Sequence, residues 1–320
     1  MGTMIPVGTT VRSKTVSYPI SWYPFCLSKE VPGKKAVKIR AFGREWVTFR
    51  NGQGKITVMQ RYCPHMGVDL SRGVVEGSLT CPLHKRTFPE SSCDEQRDGL
   101  PIILESCDQS GMVFVFLGNY KGESLPSKFY DGVKSKTSTY DYPAPFQMVG
   151  LNGFDIHHLE IIHQRRLTDQ PVIKVIDQLG ISIDYKAAIS GNNLRDKLHR
   201  LLKINSVDIC IKCYGGSILF FDHKKIKAQS LLCLLPIEEN RTRIFLKTIL
   251  IDQTKSFLNR LKVSLVQRSI IRFLKQDFDP LWNSRFKPQG MTEPEDHWAI
   301  VWNEHYRSIP KLSVIVEDEG

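Results

Sequence analysis

Residues 63–84 read CPHMGVDLSRGVVEGSLTCPLH: Cys63 and His65 form C-x-H, Cys81 and His84 form C-x-x-H, and fifteen residues separate His65 from Cys81. Each pair offers one thiolate and one imidazole. A structural zinc site usually groups like ligands, two Cys and then two His, because each hairpin or helix contributes its own pair. Mixed pairs suit a two-iron, two-sulfide cluster, in which two thiolates hold one iron, two imidazoles hold the other, and each loop gives one ligand to each iron. The pairs must then occupy two adjacent loop tips. Pro64 and Pro82 stiffen those tips, while Gly67, Gly73 and Gly77 permit the tight turns between them.

Around this motif the chain is written in short strands. AVKIRAF, REWVTFR, KITVMQR and GMVFVFLG alternate or run apolar over strand length, and NGQG at 51–54 supplies a turn. These residues predict an all-β domain over 17–125, and the Gly, Ser and Pro of GNYKGESLPSKFYDG mark the boundary that follows it. A second domain, 126–320, mixes patterns: a helix-like DIHHLEIIHQRR, then strand-like ISIDYKAA, SVDICIKCY, GSILFFD and TRIFLKTILI, then a long periodic helix over about 253–279. The class is α+β, with no internal repeat.

The segment NGFDIHHLEIIH carries a second set of ligands. Asn152, Asp155, His158 and His163 fit N-x-x-D-x-x-H-x-x-x-x-H. Two His at i and i+5 diverge on a continuous helix, so they converge on one ion only where the helix bends or ends. Two imidazoles and one carboxylate, with positions left open, suit ferrous iron and dioxygen. In QRSIIRFLKQDFDPLWNSRF, Asp277 falls inside the apolar stripe of Ile270, Leu274, Phe278 and Leu281, whereas Asp279 points to the polar side. A carboxylate on a core-facing stripe needs a partner. Because Pro280 can shift the register at this point, Asp279 stays as the alternative third ligand.

Taken together, these residues resemble the Rieske non-haem iron oxygenases, specifically their catalytic subunits. The C-x-H…C-x-x-H spacing is that of the family's cluster domain, and N-x-x-D-x-x-H-x-x-x-x-H with a distal Asp is that of its iron site. Rieske proteins of respiratory complexes carry an extra Cys in each loop, where this chain has Val68 and Leu83. Oxygenases follow the last His with Gly-Trp, where this chain has Lys85 and Arg86. The resemblance implies a [2Fe-2S] cluster on Cys63, His65, Cys81 and His84, and Fe(II) on His158, His163 and Asp277. It also implies a helix-grip, START-like catalytic domain, and a homotrimer in which Asp155 bridges His84 of one subunit to His158 of the next. The implied activity is hydroxylation or oxidative demethylation of a steroid, alkaloid, aromatic or other secondary metabolite, with monooxygenation favoured. Electrons come from a ferredoxin or flavin reductase, so NAD(P)H is used only through that partner. An electron-transfer protein without oxygenase activity is the competing reading, and a zinc-stabilised binding module a further one.

Bulk properties agree. Hydrophobic residues make up 41% and charged residues 24%, and the longest apolar runs, such as LLCLLPI, are too short to span a bilayer. The first residues lack a continuous apolar region of the secretory kind, and Pro6 stands where a myristoylation motif wants Ser or Thr, so a cytoplasmic protein is expected. Eight cysteines, spread thinly, point to metal ligation rather than a disulfide scaffold. The net charge of +11 suggests an anionic partner, but no basic run interleaved with aromatics argues for nucleic acid, and HKKIKAQ at 223–229 reads as a solvated turn. Cys210 and Cys213, three apart on an alternating strand, point to opposite faces and read as ordinary buried thiols. Trp282, Trp298 and Trp302 read as cavity lining or core.

Overall fold

A computed structural model of the chain describes residues 13–88, 102–119, 124–125, 135–191, 201, 205–223, 227–251 and 257–317. Cys93, most of the expected boundary segment at 118–132 and residues 224–226 of the basic turn lie outside these.

The cluster-bearing part is built of antiparallel strands. Met112–Leu117 is buried at every residue because it lies between Ser106–Gln109 and Ser21–Leu27 in one sheet and packs on a core of Trp22, Tyr23 and Phe25. A second sheet orders Val37–Ala41, Arg44–Arg50, Ile56–Gln60 and Ile103–Leu104. The expected turn at 51–54 closes its central hairpin: Asn51 Oδ1 accepts the N–H groups of Gln53 at 3.0 Å and Lys55 at 2.8 Å, an Asx turn that replaces backbone pairing with a side chain. A third, small sheet orders Val74–Glu76, Ser78–Thr80 and Thr87–Phe88. It is braced by the N–H of Gly52, which donates to Gly77 O at 2.8 Å. Beneath it Val47, Phe49, Met59, Leu70, Leu79 and Phe88 form a separate core that takes in Cys63 and Cys81.

The remaining residues form an antiparallel sheet of eight described strands. Its main path runs Ser135–Tyr142, Arg241–Leu250, Ala228–Glu238, Ile218–His223, Ser206–Tyr214, Gly180–Ile189 and Arg165–Leu167, and Val172–Val175 pairs with Gly180–Ile189. Ala228–Glu238 reads as nearly continuous apolar sequence because both of its faces are covered. One face meets a long helix. At its end the strand meets the cluster-bearing part, where the N–H groups of Phe42 and Gly43 donate to Pro236 O and Ile237 O at 2.7 and 2.8 Å. One apolar core therefore runs through both parts of the chain.

Among the described residues the α-helices are α1 (Phe146–Asn152), α2 (Ile156–Ile161), α3 (Phe257–Leu281) and α4 (His297–Ser308). Helix α3 continues through Pro280, whose ring falls in the last turn. It packs Ile270, Leu274, Phe278 and Leu281 on the core, the stripe expected from the sequence. Helix α4 buries Trp302, stacked on Tyr306 at 5.2 Å, so this tryptophan fills core; Trp282 is 61% exposed. Finally Ser13–Pro19 pairs antiparallel with Lys311–Glu317, tying the two ends of the described chain together. Among the described residues no helix is long and apolar enough to cross a membrane.

Candidate metal centres

The Cys/His loops are two copies of one turn. In the first, Cys63 N–H donates to Val68 O at 2.9 Å and Gly67 N–H to Cys63 O at 2.8 Å; in the second, Cys81 N–H donates to Arg86 O at 2.8 Å and Lys85 N–H to Cys81 O at 3.1 Å. Both turns need a residue with positive φ just before their close, supplied by Gly67 at +68° and Lys85 at +56°. The hairpin between them fits only because Gly73 has no side chain, since a Cβ there would stand 2.6 Å from Thr80 O.

These turns sort their ligands by depth. Cys63 and Cys81 are 3% and 1% exposed, while His65 and His84 lie at the surface with Nδ1 atoms 3.1 Å apart. Burial pushes the Cys81 thiol up, but the N–H groups of Leu83 and His84, the Cys63 side chain and Arg86 outweigh it and hold the thiol below its ordinary value. His65 is lowered by desolvation and by Arg86 and His84, which favours the neutral imidazole. The downward shifts of Cys81 and His65 both favour the deprotonated donors that a mixed-ligand cluster requires. Arg61 anchors the first loop: it pairs with Glu45 and reaches Asp69 at 2.9 Å, and Asp69 caps the short turn Leu70–Arg72 through the N–H of Ser71 at 3.0 Å.

The second constellation is made where α2 stops. Asp155 is the N-cap of α2, its Oδ1 accepting the His158 N–H at 3.1 Å. The helix ends at Ile161, the chain reverses at Gln164 (φ +51°), and Arg165–Leu167 is a strand. The segment expected to be helical to Arg166 is thus cut short, and this break is what lets His163 turn back toward His158. His158 Nε2 lies 3.5 Å from Asp277 Oδ1, and His163 Nε2 is hydrogen-bonded to the same oxygen. One ligand atom from each of His158, His163 and Asp277 lies within 4.8 Å of the others. His163 and Asp277 are each 4% exposed; Asp279, the alternative, is exposed.

The electrostatics are those of a shared buried site. Burial pushes the Asp277 carboxyl up, but hydrogen bonds and charge from His158 and His163 more than reverse this, leaving it below the usual range. Burial pushes His158 down, and Asp277 and Asp155 lift it above its ordinary value. The imidazoles are also oriented from behind. His158 Nδ1 meets the backbone carbonyl of Asp155, which makes Nδ1 the donor and turns Nε2 toward Asp277. His163 Nδ1 is 3.1 Å from Gln276 Oε1, and Phe273 stacks on the His163 ring at 3.8 Å. Sequence spacing does not single out Gln276 or Phe273; their one signal is proximity to Asp277 on the same helix. Asn152 closes α1, and His157 is exposed; neither joins the group.

Other candidates fall away from these centres. Cys213 is buried, but Cys210, expected to be buried too, is half-exposed on the opposite face, where burial and the Asp184 carboxylate push its thiol up to about 11. A cavity of about 190 Å³ lies between α3 and the sheet, lined by Tyr140, Leu232, Ile244, Leu246, Ile271, Leu274, Lys275 and Phe278. No tryptophan lines it. Lys275 and Phe278 flank Asp277 on the same helix.

Residues 21–99 match the family model of the Rieske [2Fe-2S] domain. Over 171 residues the chain is 27% identical to cholesterol 7-desaturase nvd of Hemicentrotus pulcherrimus, a match that covers 46% of this chain and 36% of that protein. This chain thus spans about a third of that relative's length. Among solved structures, the terminal oxygenase of carbazole 1,9a-dioxygenase from Novosphingobium sp. KA1 aligns with a TM-score of 0.66 at 16% identity, over 91% of this chain and 92% of that one. A chain of the reduced complex between oxygenase and ferredoxin in carbazole 1,9a-dioxygenase aligns with a TM-score of 0.63 at 15% identity, over 92% and 90%. The class follows from fold and motif together: a Rieske [2Fe-2S] domain joined to an antiparallel-sheet domain in the fold of Rieske oxygenase catalytic subunits. Residues 21–99 are the Rieske part of that fold. Both donor sets suit the groups the class implies, the buried thiols with facing imidazoles a cluster, and the two-His, one-carboxylate group a single ion.

Proposed function

We propose that this chain is a terminal oxygenase component that uses O2 and externally supplied electrons to hydroxylate, oxidatively demethylate or desaturate an organic molecule. The observation that carries the reading is the convergence of His158, His163 and Asp277 near one end of α3, in a chain that also bears a Rieske domain. In this reading Cys63, His65, Cys81 and His84 hold the cluster within residues 17–125, and His158, His163 and Asp277 hold one ferrous ion within 126–320. When bound, the cluster supplies stored electrons and the ion supplies a site for O2 activation.

The residues of the chain do the rest. The N–H groups of Leu83 and His84 favour the thiolate of Cys81. The Asp155 carbonyl fixes the tautomer of His158, and Gln276 orients His163 through Nδ1. Phe273 covers one face of the His163 ring and keeps water from it. Asp277 takes the third place while leaving others open.

Electron supply falls to a ferredoxin or flavin reductase, with NAD(P)H oxidised only by that partner; the carbazole oxygenase, of like fold, has been solved with a ferredoxin. Lys85 and Arg86, exposed beside His84, present positive charge to an acidic donor. His84 is exposed and the Asp155 side chain is 34% exposed, which suits a homotrimer in which Asp155 of one protomer receives His84 of the next and passes the contact to His158. A cytoplasmic setting, where such donors are found, completes the reading.

The test is anaerobic loading followed by oxygen. Expected are a Rieske electron paramagnetic resonance signal, one iron per chain beyond the iron of the cluster, and substrate-dependent O2 uptake with a surrogate reductase. A protein that takes up the cluster but never the additional iron is an electron carrier, and the oxygenase reading is then wrong.

A further inference from the structure

Helix α3 has two unlike sides. Toward the sheet it buries Val263, Gln267 and Asp277 and packs Ile270 and Leu274 on the core. On the outer side Leu261, Leu265, Arg268, Arg272, Lys275 and Asp279 are all exposed, as is Trp282 just beyond the last helical residue. Their spacing alternates between four and three residues throughout, which on an α-helix draws one continuous stripe. From Leu261 to Trp282 the stripe is roughly 31 Å long. Leu261, Leu265 and Trp282 are each more than half exposed, so large apolar side chains stand in water at both of its ends.

Between those ends the stripe is basic. Arg268, Arg272 and Lys275 occupy its centre, and Lys262 stands exposed beside Leu261; Asp279 is the one carboxylate among the exposed residues from Leu261 to Trp282. Other surface arginines have partners, Arg243 with Asp141 at 2.7 Å and Arg40 with Glu238 at 3.0 Å, but among the described residues none of these four cations is ion-paired. Lys275 also lines the apolar cavity beneath α3, and so does Tyr140, which is exposed too, so the cavity reaches the surface alongside the stripe.

The order of residues along the stripe selects its partner. A second copy of the chain does not fit. Arg272 is the midpoint, so antiparallel pairing of two copies sets Arg272 against Arg272 and Arg268 against Lys275, and parallel pairing sets each cation against itself. An acidic protein meets the charge but not the layout, since a protein interface seats its apolar anchors at a dry centre inside a polar rim, the reverse of cations at the centre and Leu and Trp at the ends. A bilayer with anionic headgroups meets both. Its charge is diffuse, it takes each apolar side chain singly at the acyl boundary, Trp is favoured at that depth, and Arg and Lys stems lie along it with their heads at the phosphates. We infer that the outer stripe of α3 is a peripheral docking surface for an anionic phospholipid bilayer, with Leu261, Leu265 and Trp282 inserted and Arg268, Arg272 and Lys275 on the headgroups. The helix then lies along the membrane plane, and the cavity that opens beside Lys275 faces lipid. This docking does not depend on the function proposed above.

The test is flotation of the purified, cluster-loaded protein with vesicles of phosphatidylcholine alone and of phosphatidylcholine mixed with phosphatidylserine. Binding is expected to the mixed vesicles only, and to weaken as salt rises. Arg268→Gln with Arg272→Gln is expected to weaken it about 25-fold, about fivefold for each charge at the surface. Lys34→Gln with Lys35→Gln, the same loss of charge on exposed residues of the Rieske part, is expected to leave it unchanged. Leu261→Ser with Leu265→Ser is expected to lower it about tenfold at equal charge. Bromine on the acyl chains is expected to quench the emission of the wild-type protein more than that of Trp282→Phe. The Rieske absorbance of each variant checks that it is folded. No binding to the mixed vesicles, equal weakening by the Lys34 and Lys35 pair, or equal quenching in Trp282→Phe overturns the inference. So does retention by an acidic [2Fe-2S] ferredoxin that is lost in the Arg268 and Arg272 variant while vesicle binding is not, since the stripe then belongs to a protein. Vesicle binding by the stripe without any O2 uptake, in contrast, defeats the oxygenase reading and leaves the docking surface standing.

Discussion

Gly67 and Lys85 occupy the same place in two equivalent turns, each donating its N–H to the carbonyl of the cysteine four residues earlier and each held at positive φ. Glycine meets that geometry without a steric penalty, whereas a side chain there costs about 1 kcal/mol or more. The second turn is therefore strained where the first is not. Lys85→Gly is expected to raise the thermal midpoint of the cluster-loaded protein, by an amount corresponding to about 0.5–1 kcal/mol after the extra freedom glycine gains in the unfolded chain. Lys85→Asn, which removes the charge but tolerates the conformation, is expected to lie between, and Lys85→Ala to give no gain. A midpoint that rises equally in Lys85→Ala assigns the effect to charge instead.

Asp69 makes the first loop sensitive to acid. Burial pushes its carboxyl up, but Arg61 and the hydroxyl and N–H of Ser71 outweigh this and bring it down to about 2. A carboxyl lowered on folding stabilises the folded state at pH above its unfolded value of about 4, and that contribution disappears as pH falls through the folded value. The wild-type protein and Asp69→Asn should differ in stability by about 1–2 kcal/mol near neutrality. The two are expected to converge between about pH 4 and pH 2 in parallel denaturation curves. Curves that stay parallel down to the lowest pH rule out the Arg61–Asp69 pair as the source.

The two aspartates near the end of α3 separate cleanly. Asp277→Asn is expected to lose the metal beyond the cluster while keeping the Rieske spectrum, and Asp279→Asn to keep both, because only Asp277 is buried against the two imidazoles. Gln276→Leu removes the partner of His163 Nδ1 and is expected to weaken that metal by about 10- to 100-fold in a chelator competition. Retention of the metal by Asp277→Asn and its loss in Asp279→Asn reverses the assignment.

What the sequence disclosed and what it withheld divide along a physical line. The facing of Cys63, His65, Cys81 and His84 across two loops is legible because the C-x-H and C-x-x-H pairs put fixed donor types at short spacing. Asp277 stands out because a carboxylate on an apolar stripe contradicts the pattern around it. The i, i+5 spacing of the histidines called for a bend or an end, but its position at Ile161 was not legible, since HHLEIIHQRR keeps helical composition past the point where His163 must turn away. Nor was the pairing of Ser13–Pro19 with Lys311–Glu317, because a register between residues some three hundred apart is set by the assembled surface and leaves no local period. Gln276 and Phe273 are likewise ordinary residues that acquire meaning only from what the fold sets opposite them.

Asp155 has two roles to separate, because the carboxylate that would bridge protomers is also the cap of α2. Removing it altogether mixes them: Asp155→Ala forfeits the hydrogen bond to the His158 N–H, at a cost of about 1 kcal/mol, and loosens the helix that carries His158. Asp155→Asn keeps an oxygen at the capping position and removes only the charge, so α2, the His158 tautomer held by the backbone carbonyl and the metal content are expected to persist. What should fall, if the proposed trimer contact carries the electrons, is the rate at which a reduced cluster is reoxidised in a single turnover with substrate and O2, since a neutral amide offers no carboxylate to His84 across that contact. The measurement is stopped-flow absorbance of the Rieske band beside metal content and oligomer mass. Wild-type reoxidation in Asp155→Asn, at full metal loading and unchanged mass, leaves Asp155 as a helix cap alone and requires another route between the two centres.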